Sequence, residues 1–423
     1  MPGDRNRKVI PLLVDKRRPG TPGPVSFPSP PPLSLYVHVP WCLKKCPYCD
    51  FNSHATGQGP DGQPLFPEQT YVEALIADLE SALPLIWGRR VESVFLGGGT
   101  PSLLSATGVD QLLAAIRSRV ALQTNAEITL EANPGTAEAG KFAAFRAAGV
   151  NRLSLGVQSF NAAHLRALGR VHDGRQARQA IEIAVEHFDC VNLDLMYGLP
   201  EQTLSEAQHD VDEALAFRPS HLSCYQLTIE PNTFFAVSRP RLPDPDTCAD
   251  MQDTVEAQLS DAGYVHYETS AFARPGRPCR HNLNYWHFGD YLGIGAGAHG
   301  KLTLHNRVLR QMRWKRPEQY LLKVAAGSPI QEESTVAPAD LPCEFMMNAL
   351  RLVQGVDASL FERRTGLPLT VIEEPLRRAE ADGLLESRRQ SIVATERGRR
   401  FLNRLLEYFI VDSEPQPRAQ PSE

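Results

Sequence analysis

The chain lacks any apolar run approaching about 18 residues, the length a helix needs to cross a bilayer, so no transmembrane segment is expected. It also lacks an excess of basic charge: 44 Lys and Arg face 49 Asp and Glu, a formal net charge of -5 that gives no electrostatic case for nucleic acid. Cysteine is sparse, with 8 in 423 residues, and Cys190, Cys224, Cys248, Cys279 and Cys343 stand singly, without the spacings of a disulfide framework. Such usage fits a reducing compartment, and a cytoplasmic location is the expectation. Nor is a leader segment expected near residue 1. Residues 1–33 hold nine prolines and six basic against two acidic side chains, and the apolar run Val9 to Val14 is interrupted by Pro11. That stretch reads as a disordered proline-rich tail, too short in apolar length for a signal peptide and without a transit peptide's amphipathic pattern; residues 413–423 read as a second tail.

What is present is ordinary globular composition, 42% hydrophobic and 22% charged, in a chain long enough for two or three domains. The remaining cysteines are concentrated. Cys42, Cys46 and Cys49 form C-x3-C-x2-C directly after a β-branched run, Ser34 to Pro40, that reads as a strand. Three thiolates at that spacing on one loop can ligate three irons of a [4Fe–4S] cubane and leave the fourth open to a small molecule. A zinc knuckle or three free cysteines are the alternatives. Zinc sites normally add a second pair of ligands to reach four, and no second pair follows at suitable spacing.

From residue 34 onward strand-like and helical stretches alternate. Strands are expected at 34–40, 91–96, 126–130, 151–157, 190–196 and 221–229, with 3.6-residue periodicity over 71–87, 136–148, 174–188 and 204–217. Each strand ends in a polar or glycine-rich cluster, among them Gly97-Gly98-Gly99-Thr100, Glu131-Ala132-Asn133-Pro134 and Gly156-Val157-Gln158-Ser159. Chemistry delivered repeatedly at C-terminal strand ends is the layout of a (β/α) barrel. The fold class is therefore α/β, a partial TIM-like (β/α)6 barrel over 34–263.

Past residue 263 the pattern changes. A strand is expected over 264–272, then a loop rich in aromatic and polar residues over 279–291, within an extension spanning 264–335. A linker near 327–341 leads to a winged-helix-like C-terminal domain over 336–412. Residues 340–412 carry 11 basic and 12 acidic side chains, with acids interleaved along 369–382. DNA-reading winged helices need a basic face, so no nucleic-acid partner is expected.

The three-cysteine motif followed by a glycine triplet at the next strand end resembles the radical S-adenosylmethionine (SAM) superfamily. Over residues 34–412 the chain resembles, more narrowly, the group that holds the HemN oxidases and the HemW-type heme chaperones. The resemblance implies that Cys42, Cys46 and Cys49 hold the [4Fe–4S] cluster. It further implies that Tyr36, Tyr48, Gly98, Gly99, Thr100, Glu131, Gln158, Arg170 and Asp194 contact SAM. Two details favour the HemW type. The oxidases carry one more cysteine two residues after the third ligand, where this chain has Phe51; and His281-Asn282-Leu283-Asn284-Tyr285-Trp286 matches the H-N-x-x-Y-W motif, implying that His281, Tyr285 and Trp286 bind heme. The implied function is a chaperone that binds heme and delivers it to respiratory-chain hemoproteins, with room for a homodimer and for transient contact with membrane-bound acceptors. The alternative is an oxygen-independent coproporphyrinogen III oxidase of porphyrin biosynthesis.

Overall fold

In the computed structural model, which describes residues 25–59, 64–388 and 390–410, the run after Pro32 forms strand β1 (Leu33–Val39), buried along nearly its whole length. Strands β2 (Arg90–Gly98), β3 (Ala121–Ala132), β4 (Arg152–Gln158), β5 (Val191–Tyr197) and β6 (His221–Gln226) follow, each parallel to the one before. Strands covered on both faces read as continuous apolar runs, which is why 3.6-period helices had to be found between them. These are α1 (Glu68–Ala82), α2 (Ala106–Arg119), α3 (Phe142–Ala148), α4 (Ala162–Ala167), α5 (Gly174–His187) and α6 (Leu204–Ala216). Asp173 with Gln176, and Thr203 with Glu206, form capping boxes that start α5 and α6 where the sequence periodicity begins.

The six parallel strands are the centre of a twelve-stranded open sheet. After helix α7 (Pro245–Asp261), the hairpin β7 (Val265–Glu268) and β8 (Ala271–Ala273) adds antiparallel to β6. On the other side β9 (Asp290–Ile294) runs parallel to β1, and β10 (His299–Leu304), β11 (Arg307–Arg313) and β12 (Ile330–Thr335) extend the sheet antiparallel. The result is the expected partial barrel, open between β7 and β12 and lengthened at both edges.

Four local expectations differ. The helix expected to reach Trp87 tightens to a 3-10 turn at Leu83–Ile86, where Pro84 removes a backbone donor. Helix α2 had no counterpart; its first turn, Thr107-Gly108-Val109-Asp110, favours helix poorly, and burial of Leu112, Leu113 and Ile116 decides it. The loop expected over 279–291 folds as helix α8 (Arg280–Trp286) followed by β9. The linker expected near 327–341 contains β12, an exposed sheet edge whose Glu332 and Glu333 discourage pairing with another chain.

After α9 (Pro317–Ala325), helices α10 (Leu341–Ala349), α11 (Ser359–Thr365) and α12 (Glu373–Ala381) and a short strand pair, Val356–Asp357 with Ser391–Ile392, form the winged-helix-like segment. Its core holds Phe345 edge-on to Phe361 at 5.4 Å. Val25 and Phe27 are buried in the same core, and Phe27 N donates to His305 O at 2.9 Å. The tail expected over 1–33 is therefore corrected over 25–33, because two apolar side chains among the prolines find a surface to bury against; residues 1–24 and 413–423 lie outside the described residues. Among the described residues no helix is long and apolar enough to cross a membrane.

Candidate functional site

At the C-terminal strand ends the chain closes around a cavity of about 280 Å³ lined by Cys42, Cys46, Cys49, Tyr48, Gly98, Gly99, Thr100, Glu131, Gln158, Arg170 and Asp194. Eleven of the twelve expected cluster and SAM residues line it, and Tyr36 alone is set apart. Its hydroxyl bonds His38 Nδ1 at 2.9 Å and its ring stacks on Phe95 below the cavity.

The cysteine loop is fastened to the glycine triplet. Gly99 N donates to Val39 O at 2.8 Å and Thr100 N to Trp41 O at 2.7 Å. A Cβ on Gly99 would lie 2.6 Å from Trp41 O, and Gly98, at φ +113°, would meet the His38 ring at 2.5 Å. The glycines thus admit the cysteine loop itself, in addition to leaving backbone open to a ligand. The thiols are half-buried and free of disulfides. Burial pushes the Cys42 thiol up to about 11, and Cys49 upward as well. Among the described residues, no three His, Cys, Asp or Glu side chains gather closely enough to hold a single metal ion. Three thiols lining one cavity suit a cubane whose irons sit at separate corners.

Arg170 is the electrostatic centre. It is enclosed, and donates to Asn133 Oδ1 at 2.5 Å, Gly156 O at 2.7 Å and Cys46 Sγ at 3.7 Å. Its Nε has no partner among the described residues. Glu131 accepts from Gly98 N at 3.1 Å; burial first, and the neighbouring Asp194 second, push its carboxyl up to about 8. Asp194 accepts from Asn192 at 2.8 Å and Ser154 at 3.2 Å, while burial raises it too. Two buried carboxyls that form no ion pair among the described residues, with the Arg170 charge acting on Asp194 from a distance, are suited to receive a positively charged ligand. Gln158 sits at φ +68°, an unusual conformation for its type, and its Oε1 accepts from Tyr225 OH at 2.8 Å. Asn133, Ser154 and Tyr225 line the cavity without having been singled out from sequence; each lies on a strand or at a strand end, the one available signal.

The second set of expected residues lies at the opposite end of the barrel. Helix α8 crosses beneath the strand starts, where Glu127 accepts from Arg280 N at 3.2 Å and His281 N at 3.0 Å and pairs with Arg152 at 3.4 Å. His281 points inward: Nδ1 is 3.0 Å from Ser93 Oγ, the ring stacks on Phe95 at 4.8 Å, and burial lowers its pKa to about 3. Tyr285 stacks on Tyr291 at 4.3 Å, and Trp286 packs toward the C-terminal core under the Arg351 guanidinium. His281 and Tyr285, four residues apart, share one face of the helix with ring centroids 5.3 Å apart, whereas Trp286 lies on another face, so the structure brings two of the three side chains together and sets the third apart. Between the two ends a polar cavity of about 180 Å³ is shared by Glu131, Asp194, Arg152 and His221. From Asp194 a hydrogen-bonded chain runs through Asn192 and His221 to Tyr267, with links of 2.8, 2.6 and 2.8 Å.

Comparison with known proteins agrees with this geometry. The radical SAM superfamily matches residues 36–214, and the HemN C-terminal domain matches 336–401. The chain is 46% identical to the heme chaperone HemW of Haemophilus influenzae, covering 91% of this chain and 100% of that protein. It is 47% identical to the heme chaperone HemW of Escherichia coli, covering 90% and 99%. Among solved structures, coproporphyrinogen III oxidase (HemN) from Escherichia coli, a radical SAM enzyme, matches with a TM-score of 0.75 at 26% identity over 90% of each chain.

Proposed function

Since the chain belongs to the HemW family of the radical SAM superfamily, we propose that it is a heme chaperone that holds a [4Fe–4S] cluster and SAM at the upper cavity and passes heme to hemoproteins, including those of the respiratory chain, in the cytoplasm. The observation that carries the reading is near full-length likeness to HemW proteins in a chain whose cavity lines three thiols and whose residue 51 is an exposed phenylalanine. Cys42, Cys46 and Cys49 are the proposed cluster ligands, and the residues Gly98 to Thr100, Glu131, Gln158, Arg170 and Asp194, with Tyr48 at the rim, are the proposed SAM contacts.

When bound, a [4Fe–4S] cluster with one open iron can chelate SAM and supply an electron to its sulfonium. The protein's part is positional. Gly98 and Gly99 hold the cysteine loop against the strand ends; Glu131 and Asp194 face a cationic ligand with carboxyls that ionise more readily once it arrives. Arg170 bridges Cys46 to Asn133 and Gly156, so thiolate charge and the neighbouring strand ends are held as one unit.

Reconstituted protein should retain added heme through gel filtration, with a shifted Soret band, and should bind SAM in calorimetry only when the cluster is present. Parallel incubation with coproporphyrinogen III, SAM and a reductant should yield no protoporphyrinogen IX. Product formation without heme retention would establish the oxidase reading instead.

A further inference from the structure

Resting on the chaperone reading above, we propose that heme sits outside the barrel, in the groove between the β7–β8 hairpin, helix α8 and the Leu352–Gly355 turn, with His287 as the iron ligand and Arg274 facing the propionates. His287 caps the C-terminal end of α8, one residue beyond Trp286, and is half-buried on the groove wall. The groove measures about 290 Å³, and its walls include Val265, Tyr267, Pro278, Leu283 and Leu352. This is the lining a flat apolar macrocycle requires, with few polar groups to fix its orientation. The volume is at the low end for a small-molecule site, so one edge of a tetrapyrrole would stay in solvent. For a protein that must hand its cargo on, an edge left open gives the acceptor access.

Charge complements the shape. Beyond the Arg274–Pro275 ridge a second hollow of about 390 Å³ carries Arg218 and Arg277 beside Arg274, with Asp189 the one carboxylate on its wall. None of these three arginines forms an ion pair among the described residues. Heme carries two propionates, ionised at neutral pH, on one edge of an otherwise apolar plate; Arg274, which lines both hollows with its Nε 3.2 Å from Pro219 O and its guanidinium over the Tyr264 ring, is the cation at that edge, and Arg218 and Arg277 stand beyond the ridge. His281 is poorly placed to be the ligand as the fold stands, since its ring lies inside the barrel between Ser93 and Phe95. In the proposed arrangement it is a positioning residue: it anchors the start of the helix whose end presents His287.

The test titrates reduced and oxidised heme into the full-length, cluster-loaded protein and reads the Soret band, in parallel with iron-free protoporphyrin read by fluorescence. His287→Ala is expected to weaken heme binding at least tenfold and to change the Soret position, while leaving iron-free protoporphyrin affinity within twofold. His281→Ala is expected to keep the wild-type Soret position. Arg274→Glu is expected to weaken heme several-fold and to have little effect on heme dimethyl ester, which lacks the propionate charges. An unchanged spectrum and affinity in His287→Ala, with the Soret lost in His281→Ala, would overturn the assignment and leave the chaperone reading standing. Equal loss of heme and iron-free porphyrin in His287→Ala would overturn the ligand role. Failure of wild-type protein to retain heme at all would overturn both.

Discussion

The two ends of the barrel use the same residue types to opposite effect. At the lower end Glu127 is buried but satisfied: it pairs with Arg152 and accepts from two amides at the start of α8. At the upper end Glu131, four residues along the same strand, is buried with one amide and a second carboxyl for company, and its pKa rises to about 8. A carboxylate with its partners supplied within the chain holds elements together; one left short of positive charge is set to receive it. The same contrast separates Arg152 from Arg170, whose hydrogen-bond partners are a thiol and neutral carbonyls. Burial is common to both ends, and missing ion-pair partners distinguish the carboxyls of the proposed site.

The largest effect expected on this contrast comes from the upper end. Cys46→Ser should remove most of the bound iron and sulfide while the chain stays folded, because the thiol's bonds within the protein are few; full cluster content in that variant would remove the assignment of the upper end. Glu127→Ala should do the reverse. Stranding Arg152 and two helix amides is expected to cost about 3–5 kcal/mol in denaturant unfolding, with iron per folded molecule unchanged. If iron content fell in proportion to stability, the ends would not be separable.

The third prediction uses pH. Burial pushes the Glu131 carboxyl from the ordinary 4.5 up to about 8 in the folded protein, so between those values the native state binds more protons than the unfolded chain. Stability should therefore fall as pH rises through that window, and affinity for a cationic ligand should rise over the same range as the carboxyl ionises. Glu131→Gln is expected to flatten both profiles, measured by thermal shift and by SAM calorimetry; a wild-type SAM affinity independent of pH between about 6 and about 9, a range that brackets the folded value, would count against the role. The smallest effect is expected from Tyr225→Phe, which removes the hydrogen bond to Gln158. It should cost about 1 kcal/mol and weaken SAM binding a few-fold, without touching the cluster.

Much of the upper end was legible because it is built from strand ends. A parallel barrel strand buries its length and exposes its last residues, so the apolar run locates the strand and the next few positions locate the site. Cys42, Gly99, Thr100, Glu131 and Gln158 follow that rule, whereas Asp194 lies at the middle of β5. Asn133 and Tyr225 obey it too, but Asn and Tyr at a strand end are common enough in turns and cores that composition does not single them out. Arg170 follows a helix; its burial depends on α4 folding back toward the cysteine loop.

The lower end was less legible. The motif beginning at His281 is dense in aromatics, and its residues go to two environments once α8 forms: His281 and Tyr285 join a run of rings between Phe95 and Tyr291, and Trp286 joins the C-terminal core. A heptapeptide's composition does not report which of its faces meets which neighbour. The groove that holds His287 is farther still from sequence, since its walls come from residues 265–287 and 352–355.

By itself, the sequence determined the order of six βα units, the loop that carries the three thiols and the strand ends that face it, because hydrophobic periodicity and short-range spacing are local properties of the chain. Tertiary structure alone decided that the glycine triplet locks the cysteine loop, that Glu127 is satisfied while Glu131 is not, and that His281 is enclosed while His287 borders an open groove. Those outcomes depend on desolvation and on partners brought from distant segments, and neither is a property of any stretch of sequence taken alone.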